Sequence, residues 1–330
     1  MLGVDLLAAL RQHALMDKRD EPRYGGRDMR LRHDESAMNL RLRLFAQPFA
    51  SRLGAVAVAA TCLVAGSDAP ALAEGKSGTC VPAAFRVVLD VGHTADSPGA
   101  FSARGMTEYS FNMQLADAIR QTLLDAGFEQ TSKIVITGPA RRGLFERATH
   151  ANGAHADLLI AIHHDSVPDY LLENWQYEGK KRQYSDRFSG FSIFVSNANG
   201  DRSGSFAFGH LLGVELQKQG LHYTPHYTLP LMKRYRHELL DAEAGIYRYD
   251  HLVVLRQTRM PAVLLEAGSI ANRQEELELA TTERRLAIAK AVTAAVGEFC
   301  TNRAPTGVQE VKAPASDHAA SRGRKAFVSP

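Results

Sequence analysis

Three short apolar runs, each ending in a residue that can do chemistry, set the tightest limits on this chain. FRVVLDVGH is apolar and β-branched from Phe85 to Leu89, ends at Asp90 and places His93 in the loop beyond. LLIAIHH runs from Leu158 to Ile162 and ends in His163 and His164, and PAVLLE ends in Glu266. Runs of this length bounded by turns read as strands buried on both faces. Helical patterns alternate with them. One starts at Glu108 with Phe111, Leu115, Ile119 and Leu123 on one side, and others span Leu144 to Asn152 and Phe206 to Gln219, the latter stopped by Gly220. The last runs from Thr282 to Phe299, with Leu286, Ala289, Val292 and Val296 as its buried stripe. The alternation predicts an α/β fold with helices on both faces of one sheet, and a site at the carboxyl ends of its strands.

The remaining segments complete the outline. Lys133–Thr137, Gly190–Ser196 and Leu252–Leu255 read as further strands. Residues 167–189 are aromatic and charged without a period, and read as a loop insertion. Its Tyr170, Trp175, Tyr177 and Tyr184 either line a groove for glycan or peptide or form the loop's own small core. Residues 221–250 are irregular.

Packing does not explain the polar residues at the strand ends. Singly, each has an ordinary reading: a hydrogen-bonded structural histidine, or a Glu108 placed at a helix start by the helix dipole. Glu266 is harder to dismiss, because a carboxylate closing a buried strand needs a partner. Together, His93, Glu108 and either His163 or His164 supply two imidazoles and a carboxylate. That is the ligand set of a catalytic zinc that keeps a fourth position for water. Zinc lowers the pKa of bound water to about 7, and Glu266 is placed to act as the base.

The chain ends carry a different signal. Residues 1–37 are polar and read as an N-terminal extension without structural role. Residues 38–73 read as a signal peptide: Arg41, Arg43 and Arg52 precede the apolar run Leu53–Gly66, and Ala71-Leu72-Ala73 is an A-x-A cleavage site. That run is too short to span a membrane. The expected mature domain is 74–300, exported to the periplasm or cell envelope, followed by a disordered tail over 301–330 rich in Pro, Ala, Ser and charge. Export removes Cys62 and leaves Cys80 and Cys300 at the two ends of the domain, where an oxidising compartment permits a disulfide. The formal net charge of +3 is too small to argue for a nucleic-acid partner.

Five motifs, in order over about Phe85 to Phe299, resemble the zinc-dependent N-acetylmuramoyl-L-alanine amidases of the type 3 cell-wall hydrolase class. LDVGHTADSPGA is similar to that family's strand-plus-histidine opening, with Thr94-Ala95 where glycines are common. TEYSFN resembles its glutamate motif. Leu144, Arg147 and Asn152 match a structural helix motif, LLIAIHHDS resembles the second histidine segment, and MPAVLLEAGSIAN resembles the ending that carries the catalytic glutamate. The resemblance implies a single domain with a mixed, mainly parallel sheet, and one Zn2+ held by His93, Glu108 and His163 with Glu266 catalytic. His164 falls where a small residue is usual and becomes a supporting or surface group, while Arg256 becomes a candidate substrate contact. The implied reaction is hydrolysis, in peptidoglycan, of the amide between the lactyl group of N-acetylmuramic acid and L-alanine of the stem peptide. Some members carry an inserted helix that covers the site until an activator protein removes it. Here 167–189 and 221–250 are the segments in question, with Glu238, Asp241 and Glu243 as candidate blocking carboxylates. The competing readings are another zinc peptidase acting on stem peptides and a non-catalytic wall-binding regulator.

Overall fold

Strand β1 (Val87–Val91) is an interior strand of the sheet and shows why the apolar runs are continuous. In the computed structural model, which describes residues 80–303, Val87, Leu89 and Val91 face one hydrophobic layer and Val88 faces the other. A strand covered on both faces has no polar side to alternate with. The elements that follow are α1 (Glu108–Asp125), β2 (Ser132–Ile134), α2 (Ala140–Gly153) and β3 (Leu158–Asp165), then a hairpin of β4 (Glu173–Tyr177) and β5 (Lys180–Tyr184). After these come β6 (Ser192–Val195), α3 (Arg202–Lys218), β7 (Leu239–Asp241), β8 (Ile246–Arg248), α4 (Val253–Gln257), β9 (Ala262–Ser269), α5 (Glu275–Leu279) and α6 (Thr282–Asn302).

Seven strands form one sheet in the order β2-β1-β3-β9-β6-β8-β7. It is parallel from β2 through β9, β6 runs antiparallel to β9 and parallel to β8, and β7 closes the edge antiparallel to β8. Helices α1, α3 and α6 cover one face, while α2, α4 and the 226–235 turns cover the other. This is a single α/β domain with a mixed, mostly parallel sheet flanked by helices. Cys80 and Cys300 are joined by a disulfide that ties the entry of the domain to α6, with Cα atoms 5.2 Å apart. No helix among the described residues is long and apolar enough to cross a membrane. The extension and signal-peptide assignments, Cys62 and residues 304–330 lie outside the described residues, and α6 runs on to Asn302.

Three expectations are corrected. Leu252–Leu255 is not a strand: Leu252 is extended and Val253–Gln257 is a short buried helix, because four apolar residues fit one buried turn as well as a strand. Residues 167–189 are not an irregular loop but contain the β4–β5 hairpin, whose turn places Glu178 at φ 50 and Gly179 at φ 71. Two successive positive φ values are what a tight hairpin turn requires. Leu286 is 40% exposed, so the α6 stripe runs through Ile288, Ala289, Val292, Val296 and Phe299 instead.

Candidate metal centre and catalytic site

The carboxyl end of β1 is shaped by a buried arginine. Strand alternation turns Asp90 toward α2, where Arg147, 3% exposed, donates to the Asp90 carboxylate and to the carbonyls of Val91 and His93. Burial pushes the Asp90 carboxyl up, and the Arg147 guanidinium works against that. His93 itself sits at φ 66, a left-handed conformation uncommon outside glycine. Such a conformation persists where surrounding bonds over-determine it. The grip of Arg147 on the His93 carbonyl supplies one of those bonds.

Glu108 arrives from the opposite side. It opens α1 after the N-cap Thr107, whose side chain accepts from the Ser110 backbone N–H. The Glu108 carboxylate is 5% exposed and accepts from the Ala100 N–H at 3.1 Å. His93 Nε2 lies 2.9 Å from its Oε2, and His163 Nδ1 lies 3.0 Å from its Oε1. Each of the three residues offers one ligand atom, and these atoms lie within 4.8 Å of one another. Burial raises the Glu108 pKa, but the two imidazoles more than offset it and hold the carboxyl well below its usual range. Burial lowers His163, which favours the neutral imidazole that binds metals.

Two glycines make the approach possible. A Cβ on Gly92 would stand 2.4 Å from His163 Nε2, and one on Gly99 would stand 2.4 Å from Glu108 Oε2. Gly99 also has φ +79. Gly92→Ala is therefore expected to weaken metal binding about 10- to 100-fold, the range seen when groups that orient ligands are disturbed. Metal content after dialysis, set beside an unchanged far-ultraviolet spectrum, checks this.

Glu266 stands in β9 directly opposite His163 in the register of β3. Its Oε2 is buried with no hydrogen-bond partner among the described residues. Burial pushes its carboxyl well above the usual range, with the Asp165 and Glu108 carboxylates adding to the effect. His164 points the other way, is 3% exposed, and pairs through Nδ1 with Asn112 Oδ1 at 2.8 Å. Asn112 in turn donates to the Gly92 carbonyl and to Glu108 Oε1. His164 is thus a buried brace behind Glu108, not a surface residue. Arg256 lies on α4, and its Nε is buried with no hydrogen-bond partner among the described residues.

Asp165, Tyr227 and Asn112 have no role among the sequence expectations. Tyr227 donates to Asp165 Oδ1 at 2.8 Å beside Glu266, and burial raises the Asp165 pKa to about 7, partly opposed by that bond. The spacing of Asn112 four residues after Glu108 was the available signal. Tyr227 lies in an irregular stretch that carries none. Two of the three candidate blocking groups are engaged elsewhere. Asp241 pairs with His210 and Glu238 with Arg248, while Glu243 is exposed.

Known proteins share this fold and sequence pattern. The chain is 25% identical over 217 residues to the N-acetylmuramoyl-L-alanine amidase AmiA of Salmonella typhimurium, covering 62% of this chain and 73% of that protein. It is 24% identical over 225 residues to AmiA of Escherichia coli, covering 64% and 74%. The crystal structure of the amidase Ami1 from Mycobacterium smegmatis superposes with a TM-score of 0.51 at 18% identity, covering 67% of this chain and 98% of that one. The sequence model of the N-acetylmuramoyl-L-alanine amidases matches residues 87–298, from the first strand of the sheet nearly to the end of α6, and the chain belongs to that family.

Proposed function

We propose that this peptidoglycan amidase cleaves the bond between the N-acetylmuramic acid lactyl group and L-alanine with one zinc ion held by His93, Glu108 and His163, and with Glu266 handling the protons. The observation that carries this reading is the convergence of three donor atoms within 4.8 Å around a buried carboxylate, with Glu266 opposite one of the donors. Two imidazoles and a carboxylate suit zinc and leave room for a further ligand. When bound, the ion supplies Lewis acidity toward the scissile carbonyl and acidifies water. Glu266 takes the proton of the attacking water and returns it to the leaving L-alanine amine. Burial and two neighbouring carboxylates raise its pKa, which makes it a stronger base than an exposed glutamate. Arg147, Asn112 and His164 hold the ligands in place.

The same reading makes residues 38–73 a signal peptide, 74–300 the catalytic domain and the cell envelope the site of action. The Cys80–Cys300 disulfide supports it, since such bonds persist in oxidising compartments. Metal analysis of the purified exported protein should find about one zinc per chain, the occupancy of a mononuclear site. Digestion of purified peptidoglycan should release new L-alanine amino ends and free lactyl carboxylates. Cuts within the stem peptide would make the protein a peptidase instead. A metal-free protein that stays inert after zinc is added would sink the reading.

A further inference from the structure

The β4–β5 hairpin is tied to both loops that bracket the proposed site. One face carries Trp175, Tyr177, Arg182 and Tyr184, with Trp175 opposite Arg182 in the register. The Trp175 indole donates to the Ala103 carbonyl at 3.0 Å, and Ala103 N–H donates to Ile270 at 2.9 Å. The Ser185 N–H donates to Ala271 at 2.9 Å. Residue 103 lies on the path from His93 to Glu108, and 270–274 follow β9 beyond Glu266. The hairpin therefore stands on the same edge of the sheet as the metal ligands. Tyr170 does not join it: its hydroxyl donates to Leu231 and Lys233 lies over its ring.

Beside the hairpin is an open hollow of about 480 Å³ lined by Arg104, Trp175, Asp186, Asn272, Arg273 and Gln274. Asn272 and Gln274 also line a second hollow, of about 190 Å³, that reaches His222 and Arg284. The shared wall makes an extended groove, which suits a polymer better than a single small molecule. The chemistry of its lining selects the polymer. Arg104 and Arg273 have their guanidinium carbons 5.5 and 5.2 Å from the Trp175 ring centre. Both charges are already matched: Arg273 donates through Nε and Nη2 to Asp186, and Arg104 pairs with Glu276 at 2.8 Å. The two arginines that line the hollow are thus neutralised by Asp186 and Glu276, and neither is left to attract the carboxylates of a stem peptide. What remains is the exposed part of an indole on which Tyr177 stacks and which Tyr184 meets edge-on, with the exposed amide of Gln274 beside it. One indole among several polar side chains offers a sugar an apolar contact beside hydrogen-bond partners.

We infer that the Trp175 hollow is a glycan subsite that takes an uncharged N-acetylated sugar of the peptidoglycan strand next to the one being cut. The inference rests on the amidase reading for its choice of polymer, but its test does not depend on turnover. Trp175 is the only tryptophan in the chain, so emission excited at the red edge of the absorption band, where tyrosines do not absorb, reports on this hollow. Titration of the intact protein with the tetramer of N-acetylglucosamine should give a saturable change in emission. A stem peptide beginning with L-alanine, at the same concentrations, should give none. Gln274→Ala should weaken the saccharide titration by roughly 2- to 13-fold, the worth of one hydrogen bond, with an unchanged melting temperature because the residue is exposed. Saturation by the peptide instead, no saturable response to the saccharide, or a Gln274→Ala protein that binds as wild type would each overturn the subsite. Sugar binding by a protein that cuts no lactyl amide would leave the subsite standing and remove the amidase mechanism.

Discussion

Replacing Glu266 with glutamine is expected to lower kcat by about 10²- to 10⁴-fold, the usual contribution of a positioned acid–base group, while zinc content stays at the wild-type level. Glutamine keeps the size and polarity of the side chain but can neither take a proton from water nor return one to the amine. Glu266 is not among the three converging donors, so its loss should leave metal binding intact. The fold should not suffer either. Its Oε2 is buried with no hydrogen-bond partner among the described residues, and burial together with Asp165 and Glu108 already disfavours its charged form, so a neutral amide costs the site little. The variant is therefore expected to be at least as stable as wild type in urea. Turnover near the wild-type rate would remove Glu266 from the mechanism. Lost zinc would make it a ligand.

Arg147→Met is expected to destabilise the domain by about 3–5 kcal/mol, the cost of leaving one member of a buried ion pair alone. Arg147 is the partner of Asp90, and both are nearly inaccessible. The carbonyls of Val91 and His93 lose their donor at the same time. Urea unfolding measures the loss. The double variant Asp90→Asn with Arg147→Met separates the two effects, because removing both charges relieves the unpaired carboxylate. It should recover much of the stability but little of the zinc affinity, since the positive-φ turn at His93 still lacks the bond that holds it. A double variant no more stable than Arg147→Met alone would show that the charge of Asp90 is not what Arg147 compensates.

Much of the fold was legible because a doubly covered strand leaves a plain mark. VVL, LLIAI and AVLL are continuous apolar runs, and each lies within an interior strand of the sheet. Short or edge elements left weaker marks. Val253–Gln257 looked extended because a single buried turn has no period to display. The hairpin at 173–184 was hidden because its alternation mixes aromatic with cationic residues, and its covered face packs on loops and not on a hydrophobic layer.

The sequence by itself determined which side chains stand at the ends of the central strands, because a period of two and a turn after each apolar run leave little freedom there. It also supplied the family motifs that single out His93, Glu108, His163 and Glu266. Only the tertiary structure decided what those residues meet. The parallel register that sets Glu266 opposite His163, the guanidinium that grips Asp90 and the His93 carbonyl from 54 or more residues away, and the hairpin seated on the loops around the site are all contacts between distant segments. Such contacts form where several elements pack at once, and no local stretch of sequence encodes a distance between two strands.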